Sequence, residues 1–314
     1  MTNLQLTILG SGSAVPLPRR SPTSQFLTLS GRHFLLDCGE GTQTKLRQHK
    51  IGFGRINHIF ISHLHGDHFF GLVPLLATLH LLDRQKEVHL YGPPELEQAV
   101  QSLLDSTGSR LRFPLIYHVA QPTAPTVLYE DEALWVKAIP LEHGMPCWGY
   151  HFQEKPRPRK MRKEAIDRLG IPVVEIRQIK QGAAFTDVAG TTHANESLTD
   201  DPAPALSYAY CTDTAPLGPY LKESIGPVDL LYHEATFTET HRERAQQTTH
   251  CTARQAAEVA QTIGAQKLLL GHFSIRYDDL APLEEEARTI FPQSFLARED
   301  QVFELGRKDG KLHF

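Results

Sequence analysis

The chain has 314 residues, of which 40% are hydrophobic and 22% charged, as in a globular protein that can bury a sizeable core. Its apolar runs are too short to span a membrane, and its net charge of −4 leaves any affinity for nucleic acid to a local basic patch. Its four cysteines form no C-x-x-C pair, which argues against a disulfide framework and a thiolate zinc site and favours a reducing, cytoplasmic location.

Strands and helices alternate in the predicted first half. The first residues predict a strand and a glycine turn, without the basic and apolar regions of a secretory signal. Strands are expected over residues 4–9, 26–29, 33–36, 58–62 and 88–91, and helices over residues 42–50, 71–82 and 95–104.

The composition changes after Tyr150. Six basic residues fall within the nine positions from Lys155 to Lys163, and a short helix is expected directly afterwards. We interpret residues 153–184 as a flexible arm inserted into a single domain, residues 1–314, because this segment is too short and too polar for a core of its own. An apolar strand pattern resumes at residues 206–210.

Three strands with a buried pattern each run into a polar residue. They lead to His63, to the pair His233-Glu234 and to His272. Open α/β sheets place their ligand sites at the carboxyl ends of strands. We therefore expect these ends to converge on one site, with helices over residues 71–82 and 252–263 covering the sheets.

A dense group of candidate metal ligands follows residue 62. His63, His65, Asp67 and His68 lie within six residues. Imidazole and carboxylate ligands without cysteine suit a catalytic zinc, or manganese, with open positions for water. His63 and His65 point to the same side of an extended chain, whereas Asp67 and His68 follow a turn at Gly66. The pattern alone leaves open one metal, two metals, or histidines near a turn.

The H-x-H-x-D-H pattern resembles the signature of the metallo-β-lactamase-type hydrolases. Five further motifs occur in the order seen in the ribonuclease Z family of tRNA 3′-processing endonucleases: FLLDCGEGTQ from Phe34, PLEH from Pro140, YCTDT from Tyr210, HEAT from His233 and GHFSIRY from Gly271. The resemblance covers essentially the whole chain. It implies an α/β fold, a four-layer αβ/βα sandwich with an inserted basic arm.

The resemblance also implies two zinc ions per subunit, with manganese as an alternative. One ion would be held by His63, His65 and His143, the other by Asp67, His68 and His272, and Asp213 would bridge the two. A carboxylate suits the bridging role because it has two oxygens. Two metals about 3.5–4 Å apart can share a hydroxide and clamp the attacking and leaving oxygens of a phosphodiester displacement. Without the resemblance, His143 would be an ordinary loop residue, Asp213 an ordinary turn residue and His272 an ordinary strand-end residue.

Proton transfer is assigned by the same resemblance. Asp67 would also receive the proton of the attacking water, while Glu234 would orient His250 as the acid for the leaving 3′ oxygen. The family's usual H-S-T reads His250-Cys251-Thr252 here. The alternative for Glu234 is a buried carboxylate that orients a zinc-binding histidine.

Contacts to RNA are expected in three places. Arg276 suits a bidentate phosphate contact, with a surface ion pair as the alternative. Arg20 lies in a loop, residues 16–21, that matches the family's P-x-K-x-R-N element only at Pro16 and Arg20. The arm is expected to dock the body of a precursor tRNA, often across a homodimer, unless its charges are a solvated linker. Its candidate contacts are Lys155, Arg157, Arg159, Lys160, Arg162 and Lys163.

The sequence therefore predicts a zinc-dependent endoribonuclease that removes the 3′ trailer from precursor tRNA. Cleavage after the discriminator nucleotide would leave a 3′-hydroxyl on the tRNA and a 5′-phosphate on the trailer. One alternative is a binuclear phosphodiesterase or arylsulfatase-like hydrolase of small molecules, which would need no basic arm. The other is a module that binds RNA or zinc at a relic site, which would need neither Glu234 nor His250.

Overall fold

A computed structural model describes residues 3–121, 123–216, 221–308 and 311–313. Its strands are β1 Asn3–Gly10, β2 Ser24–Leu29, β3 Arg32–Leu36, β4 His58–Phe60, β5 Val88–Gly92, β6 Leu115–Val119, β7 Thr126–Glu130, β8 Leu134–Leu141, β9 Cys147–Glu154, β10 Lys160–Met161, β11 Phe185–Thr186, β12 Thr192–His193, β13 Thr199–Asp200, β14 Ser207–Cys211, β15 Leu230–Glu234, β16 Lys267–Gly271, β17 Ser294–Leu296, β18 Val302–Lys308 and β19 Lys311–His313. Its α-helices are α1 Thr42–Gln48, α2 Gly66–Phe69, α3 Leu72–Leu81, α4 Leu96–Ser106, α5 Lys163–Leu169, α6 Val173–Lys180, α7 Asn195–Leu198, α8 Leu221–Ile225, α9 Arg242–Gln247, α10 Ala253–Ile263 and α11 Ala281–Arg288.

Two large sheets contain most of these strands. The first has eight strands in the order β19-β18-β1-β2-β3-β4-β5-β6, and the second has seven in the order β17-β16-β15-β14-β9-β8-β7. Strands β3 to β6 run parallel to one another, as do β14 to β17 in the second sheet. Each sheet therefore has a parallel half, whose strand ends can carry a ligand site.

Three apolar layers hold the sheets and helices together. The central layer lies between the two sheets, where Phe60 stacks on Tyr91 with 4.2 Å between ring centroids and meets Tyr150 of the other sheet edge-on at 5.0 Å. Helices α1, α3 and α4 cover the first sheet, and α8, α10 and α11 cover the second. The order is helix, sheet, sheet, helix, so the predicted four-layer α/β sandwich is confirmed.

The helices that cover the sheets lie where the apolar periodicity predicts them. Helix α3 occupies the range expected over residues 71–82, and α10 the range over residues 252–263. Helix α10 begins at a capping box, in which the Gln255 amide donates to the Thr252 hydroxyl and the Thr252 amide donates to the Gln255 side-chain oxygen. The short helix α2 was not predicted. Four residues are too few for a helical pattern to be visible in sequence.

The inserted segment differs from the prediction at both ends. Gln153 and Glu154 still belong to β9, and the segment continues to residue 205, because β9 and β14 pair directly in the second sheet. Its helices and short strands also enclose a small apolar cluster built on Ala165, Ile179 and Leu198. Leu198 and the partly buried Phe185 contribute to this cluster from beyond residue 184, so the inserted segment is longer than expected and has some apolar packing of its own.

The longest helices are α4 and α10, with 11 residues each, whereas a membrane-spanning helix needs about 20. Within the described ranges, no helix is both long and apolar enough to cross a bilayer. All four cysteines are free and buried, in agreement with the expectation of a chain without disulfides.

Gly71 joins the ligand-bearing segment to α3 at a close backbone approach. A Cβ atom there would lie 2.0 Å from the Gly39 carbonyl oxygen. We expect Gly71→Ala to lower the free energy of unfolding by about 1–3 kcal/mol, because the backbone must shift. The matched control is Gly54→Ala, whose Cβ would have no neighbour within 4 Å. Urea unfolding of both variants measures the difference, and equal effects would contradict the argument.

Candidate metal centre and catalytic site

The candidate site lies where the parallel strands of both sheets end. Strand β3 leads into Asp37, β4 into Ser62 and His63, β14 into Asp213, and β16 into His272. Since these strands meet at one end of the sandwich, residues more than 200 positions apart come into contact. The Nε2 atoms of His68 and His272 are 3.2 Å apart.

The first group of candidate ligands is His63, His65, His143 and Asp213. His63 Nε2 lies 2.9 Å from His65 Nδ1, and His143 Nε2 lies 3.4 Å from that same Nδ1. Asp213 Oδ2 lies 3.4 Å from His63 Nε2 and 3.7 Å from His143 Nε2. Three imidazoles and one carboxylate oxygen thus face a common point.

The second group is Asp67, His68 and His272. Asp67 Oδ2 is 3.5 Å from the Nε2 atom of each histidine. The other oxygen of Asp213, Oδ1, is 3.4 Å from His68 Nε2 and 3.1 Å from His272 Nε2. Asp213 therefore directs one carboxylate oxygen to each group, which is the arrangement that a bridging ligand requires.

The chemistry of these donors fits two divalent cations. Imidazole nitrogens and carboxylate oxygens without thiolates are typical of catalytic zinc sites and are also compatible with manganese. Burial, and then the neighbouring His68, lower the pKa of His63 to about 4, so this imidazole is neutral at pH 7, as a metal ligand must be. Burial raises the pKa of Asp213, but the surrounding histidines outweigh it and keep this carboxyl ionised.

Three residues at these strand ends adopt left-handed backbone conformations. The φ angles are 53° at Asp37, 25° at Asp213 and 58° at His272. Aspartate and histidine tolerate this region better than most residues do, yet each such residue costs about 1–3 kcal/mol. The turns swing the side chains off the ends of the strands and into the site.

Asp37 orients the second ligand group. Its Oδ2 accepts hydrogen bonds from His68 Nδ1 at 2.7 Å, from Ser62 Oγ at 2.8 Å and from the Tyr210 hydroxyl at 2.6 Å. A carboxylate on the far nitrogen fixes the tautomer of a metal-binding imidazole and its direction. Asp37 lies within the FLLDCGEGTQ motif and follows a buried strand as His63 does, but no role was predicted for it.

Other histidines are oriented by hydroxyl and carbonyl groups. His272 Nδ1 lies 3.0 Å from the Thr236 hydroxyl, which donates to Glu234 Oε2 at 2.6 Å. His143 Nδ1 lies 3.2 Å from the Thr249 carbonyl oxygen. Glu234 therefore contacts the candidate ligand His272 through the Thr236 hydroxyl and contacts His250 directly. The contacts are compatible with both roles considered for Glu234.

Glu234 and His250 form a buried ion pair beside the ligands. Glu234 is fully buried, and its Oε1 lies 2.8 Å from His250 Nδ1. Burial raises the pKa of Glu234, but the charge of His250 outweighs it and lowers this pKa to about 2. Burial lowers the pKa of His250, whereas Glu234 raises it, with the balance at about 9. His250 is thus protonated at pH 7 and can donate a proton.

Position 251, directly after His250, is cysteine where the family pattern has serine, and the difference does not disturb the His250 imidazole. The Cys251 thiol donates to the Thr214 carbonyl oxygen, with 3.1 Å between sulfur and oxygen. This contact joins the segment that contains Cys251 to the turn after β14, which carries Asp213. It leaves the imidazole of His250 paired with Glu234.

A pocket of about 590 Å³ opens over these groups. Asp67, His250 and His272 line it, and so does Arg276, whose guanidinium could meet a phosphate there. Arg244 of α9 lines the same pocket. No sequence signal distinguished this arginine from other helix-surface cations.

Arg20 lies outside the pocket and is bonded to backbone. It is 8% exposed, and its guanidinium donates to the carbonyl oxygens of Ser274, at 3.1 Å, and of Tyr277. Arg20 therefore holds the loop that carries Arg276, and its expected contact with substrate stays a prediction.

The basic residues of the inserted segment are largely paired with acidic groups. Ion pairs join Lys155 to Glu130, Arg157 to Glu154, Arg159 to Asp201 and Arg162 to Asp200. Lys160 and Lys163 are exposed, and within the described part of the chain no ion pair includes them. The available positive charge is thus smaller than the run of six suggested.

The chain is similar to known proteins in both sequence and fold. Residues 168–273 match a family model described as a beta-lactamase superfamily domain, and residues 4–125 match one described as anti-Pycsar protein Apyc1. Ribonuclease Z of Bacteroides thetaiotaomicron is 44% identical, over 96% of this chain and 95% of that protein. Ribonuclease Z of Porphyromonas gingivalis is 41% identical, over 97% of this chain and 100% of that protein. The crystal structure of the short form of human tRNase Z superposes with a TM-score of 0.70 and 28% identity, over 95% of this chain and 98% of that one.

The double-sheet fold and the paired ligand groups define a hydrolase of the metallo-β-lactamase type. Within this class, similarity over nearly the full length narrows the assignment. The chain belongs to the ribonuclease Z family. Membership confirms the predicted family and the predicted enzyme class, an endoribonuclease that hydrolyses phosphodiester bonds.

The role of Asp37 can be separated from simple structural support. We expect Asp37→Asn to lower zinc affinity about 10–100-fold, because His68 loses the carboxylate that orients it. Asp229 is the matched control: it is also buried and accepts hydrogen bonds from Ser207 and Gln266, away from the candidate ligands. Competition with a chelator of known affinity measures both variants. Equal loss of affinity in both would show that Asp37 acts only through stability.

Proposed function

We propose that this enzyme removes the 3′ trailer from precursor tRNA with two zinc ions per subunit. The observation that carries the proposal is the Asp213 carboxylate, which directs one oxygen to each of two ligand groups. The predicted seven-ligand set supports it, since His63, His65 and His143 lie on one side of Asp213, and Asp67, His68 and His272 lie on the other. The names of the relatives supply the substrate.

The metals and the protein have separate tasks in this proposal. Two zinc ions, when bound, supply a hydroxide nucleophile at neutral pH and positive charge beside the phosphate oxygens. Manganese is compatible with the same donors. The protein orients the ligands and positions the groups that move protons.

Proton transfer is assigned to residues that line the pocket. Asp67 directs Oδ2 toward His68 and His272 and accepts a hydrogen bond from the Ala14 backbone amide at 2.6 Å, and it would receive the proton of the attacking water. His250 would donate a proton to the leaving 3′ oxygen. Its charge is maintained by Glu234, which stays ionised next to it. Cleavage would then leave a 3′-hydroxyl on the tRNA and a 5′-phosphate on the trailer.

The tRNA would be held by the pocket and by the inserted segment. Arg276 and Arg244 reach the pocket and suit phosphate oxygens. Residues 155–205 carry nine basic and seven acidic side chains, a local excess of positive charge in a chain of net negative charge. Lys160 and Lys163 are its exposed lysines without an ion pair in the described structure, so they are the stronger candidates for RNA contact.

The proposal extends to a homodimer, in which the segment of one subunit would hold the tRNA that the other cleaves. Mixing a subunit that lacks the segment with one that lacks His250 tests this directly. Recovery of cleavage in the mixture would require contact across two subunits.

Hydrolysis of small molecules is a weaker candidate. Solved structures of a PhnP-family diphosphatase and of yeast PDE1 share the fold, with TM-scores of 0.63 and 0.59, at only 19% and 12% identity. At these identities the likeness is one of fold alone. The paired ligand groups are compatible with precursor tRNA and with small molecules, so cleavage of each must be measured directly.

A precursor tRNA with a labelled 3′ trailer tests the proposed function. We expect the zinc-loaded protein to cut once, after the discriminator nucleotide, and to contain two equivalents of zinc by elemental analysis. Asp213→Ala should lose zinc and at least 1,000-fold in turnover, a loss of about 4 kcal/mol in transition-state stabilisation. Hydrolysis of bis(p-nitrophenyl) phosphate without cleavage of the tRNA would instead favour the small-molecule alternative.

The pH dependence of turnover tests the acid. His250 is active when protonated, so activity should fall as pH rises through its pKa. Removing the negative charge in Glu234→Gln lowers that pKa, and the alkaline limb should move to lower pH while zinc content stays at two equivalents. Glu299→Gln is the control, because Glu299 is a mostly buried carboxylate bonded to Lys45 instead. An unmoved alkaline limb in Glu234→Gln would argue against His250 as the acid.

Deletion of the inserted segment tests whether it holds the tRNA. The Glu154 amide donates to the Leu206 carbonyl oxygen at 2.9 Å, so a short Gly-Ser turn can replace residues 156–205. This deletion should abolish cleavage of precursor tRNA and spare bis(p-nitrophenyl) phosphate.

Point variants test the charges themselves. Replacing Lys160 and Lys163 by alanine should weaken tRNA binding and reduce the salt slope of log K by about 1–2. Lys50 and Lys86, exposed elsewhere, provide the control pair. Equal salt slopes for the two double variants would remove the two lysines from the RNA contact.

A further inference from the structure

An exposed aromatic ring lies at the lip of the catalytic pocket. Phe70 is 66% exposed and lines the pocket with Asp67. Among the residues whose burial the structure describes, no other phenylalanine, tyrosine or tryptophan is classed as exposed. A single apolar side chain on a surface needs no explanation. A ring beside candidate metal ligands is different, because a substrate must pass it.

The ring is fixed in position by the turn that carries the ligands. The Phe70 amide donates to the Gly66 carbonyl oxygen at 2.9 Å, at the end of α2. A Cβ atom on Gly66 would lie 2.6 Å from the ring, so the ring rests directly on the glycine backbone. Asp67 and His68 belong to the same four-residue helix. The Phe70 ring and these two candidate ligands therefore form one rigid unit.

Other residues of the same pocket supply complementary chemistry. Ile275, which is 47% exposed, and the exposed cations Arg244 and Arg276 also line it. A single-stranded RNA presents flat bases alternating with anionic phosphates. Proteins hold such strands by stacking bases on aromatic rings and pairing phosphates with arginine. One ring and two guanidinium groups around one pocket suit a nucleotide step better than a simple phosphate ester.

We propose that Phe70 is a base-stacking platform that helps to select and position the substrate. Its ring packs on one of the two bases that flank the scissile phosphodiester and so holds the phosphate over the candidate metal ligands. This role rests on the proposed function, because it requires the junction of tRNA and trailer to enter this pocket.

A double-mutant cycle between protein and RNA tests the proposal. Wild type, Phe70→Ala and Phe70→Trp are each assayed on an intact precursor and on two precursors with an abasic nucleotide, one before and one after the cut. Stacking is worth about 1–3 kcal/mol per base, so Phe70→Ala should lower kcat/KM roughly 5- to 100-fold on the intact precursor. The loss should fall below about twofold on one of the abasic precursors, and Phe70→Trp should retain activity on the intact one.

A binding measurement provides a readout without cleavage. 2-Aminopurine replaces the base identified by the cycle, and the metal-free protein is titrated. The fluorescence of the 2-aminopurine should be quenched when the wild-type protein binds and should not be quenched by Phe70→Ala. Leu81→Ala is the control variant, because Leu81 is 80% exposed at the end of α3 and does not line the pocket.

Two outcomes would overturn the proposal: no loss in Phe70→Ala, or an equal loss on all three precursors, which would indicate a purely structural role. Zinc analysis of each variant excludes an indirect effect through the ligands. Failure of the wild type to cleave the intact precursor would instead count against the proposed function, so the two failures are distinguishable.

Discussion

The contacts of Asp213 are the constraint on which the rest of the site depends. Its two oxygens lie 3.1–3.7 Å from histidine nitrogens that come from both sheets. Holding one carboxylate between two ligand groups fixes the separation of the cations that they can bind. The closed sandwich provides this geometry, because the parallel halves of its two sheets end at the same side.

The fold bears a cost for this arrangement. Left-handed backbone conformations at Asp37, Asp213 and His272 and a buried Glu234–His250 pair are both unfavourable by themselves. The polar network around Asp37 and Thr236 compensates by satisfying the buried groups with hydrogen bonds. Each orienting residue is itself held by a neighbour, as Asp37 is by Ser62 and Tyr210, and this fixes the directions of the ligands.

In the proposed function, recognition of substrate would depend less on the inserted segment than its charge pattern suggested. Four of the six basic residues at the start of that segment pair with acidic groups, and Arg20 is bonded to the loop that carries Arg276. The pocket offers Arg244, Arg276 and the ring of Phe70. These side chains line the same pocket as the candidate metal ligands, where the scissile phosphate would lie.

The sequence by itself determined the family, the alternation of strands and helices, and the candidate ligands. Local apolar periodicity and ligand spacing are written along the chain, and the H-x-H-x-D-H cluster lies within six residues. The bridging place of Asp213 was implied by the family resemblance, whereas only the tertiary structure decided that Asp37 orients His68 and that Arg20 is buried. These facts depend on contacts between residues far apart in sequence, and a single sequence carries no record of which distant side chains meet. Three of the four ion pairs of the inserted segment were missed for the same reason, since Glu130, Asp200 and Asp201 lie far from the basic run in sequence.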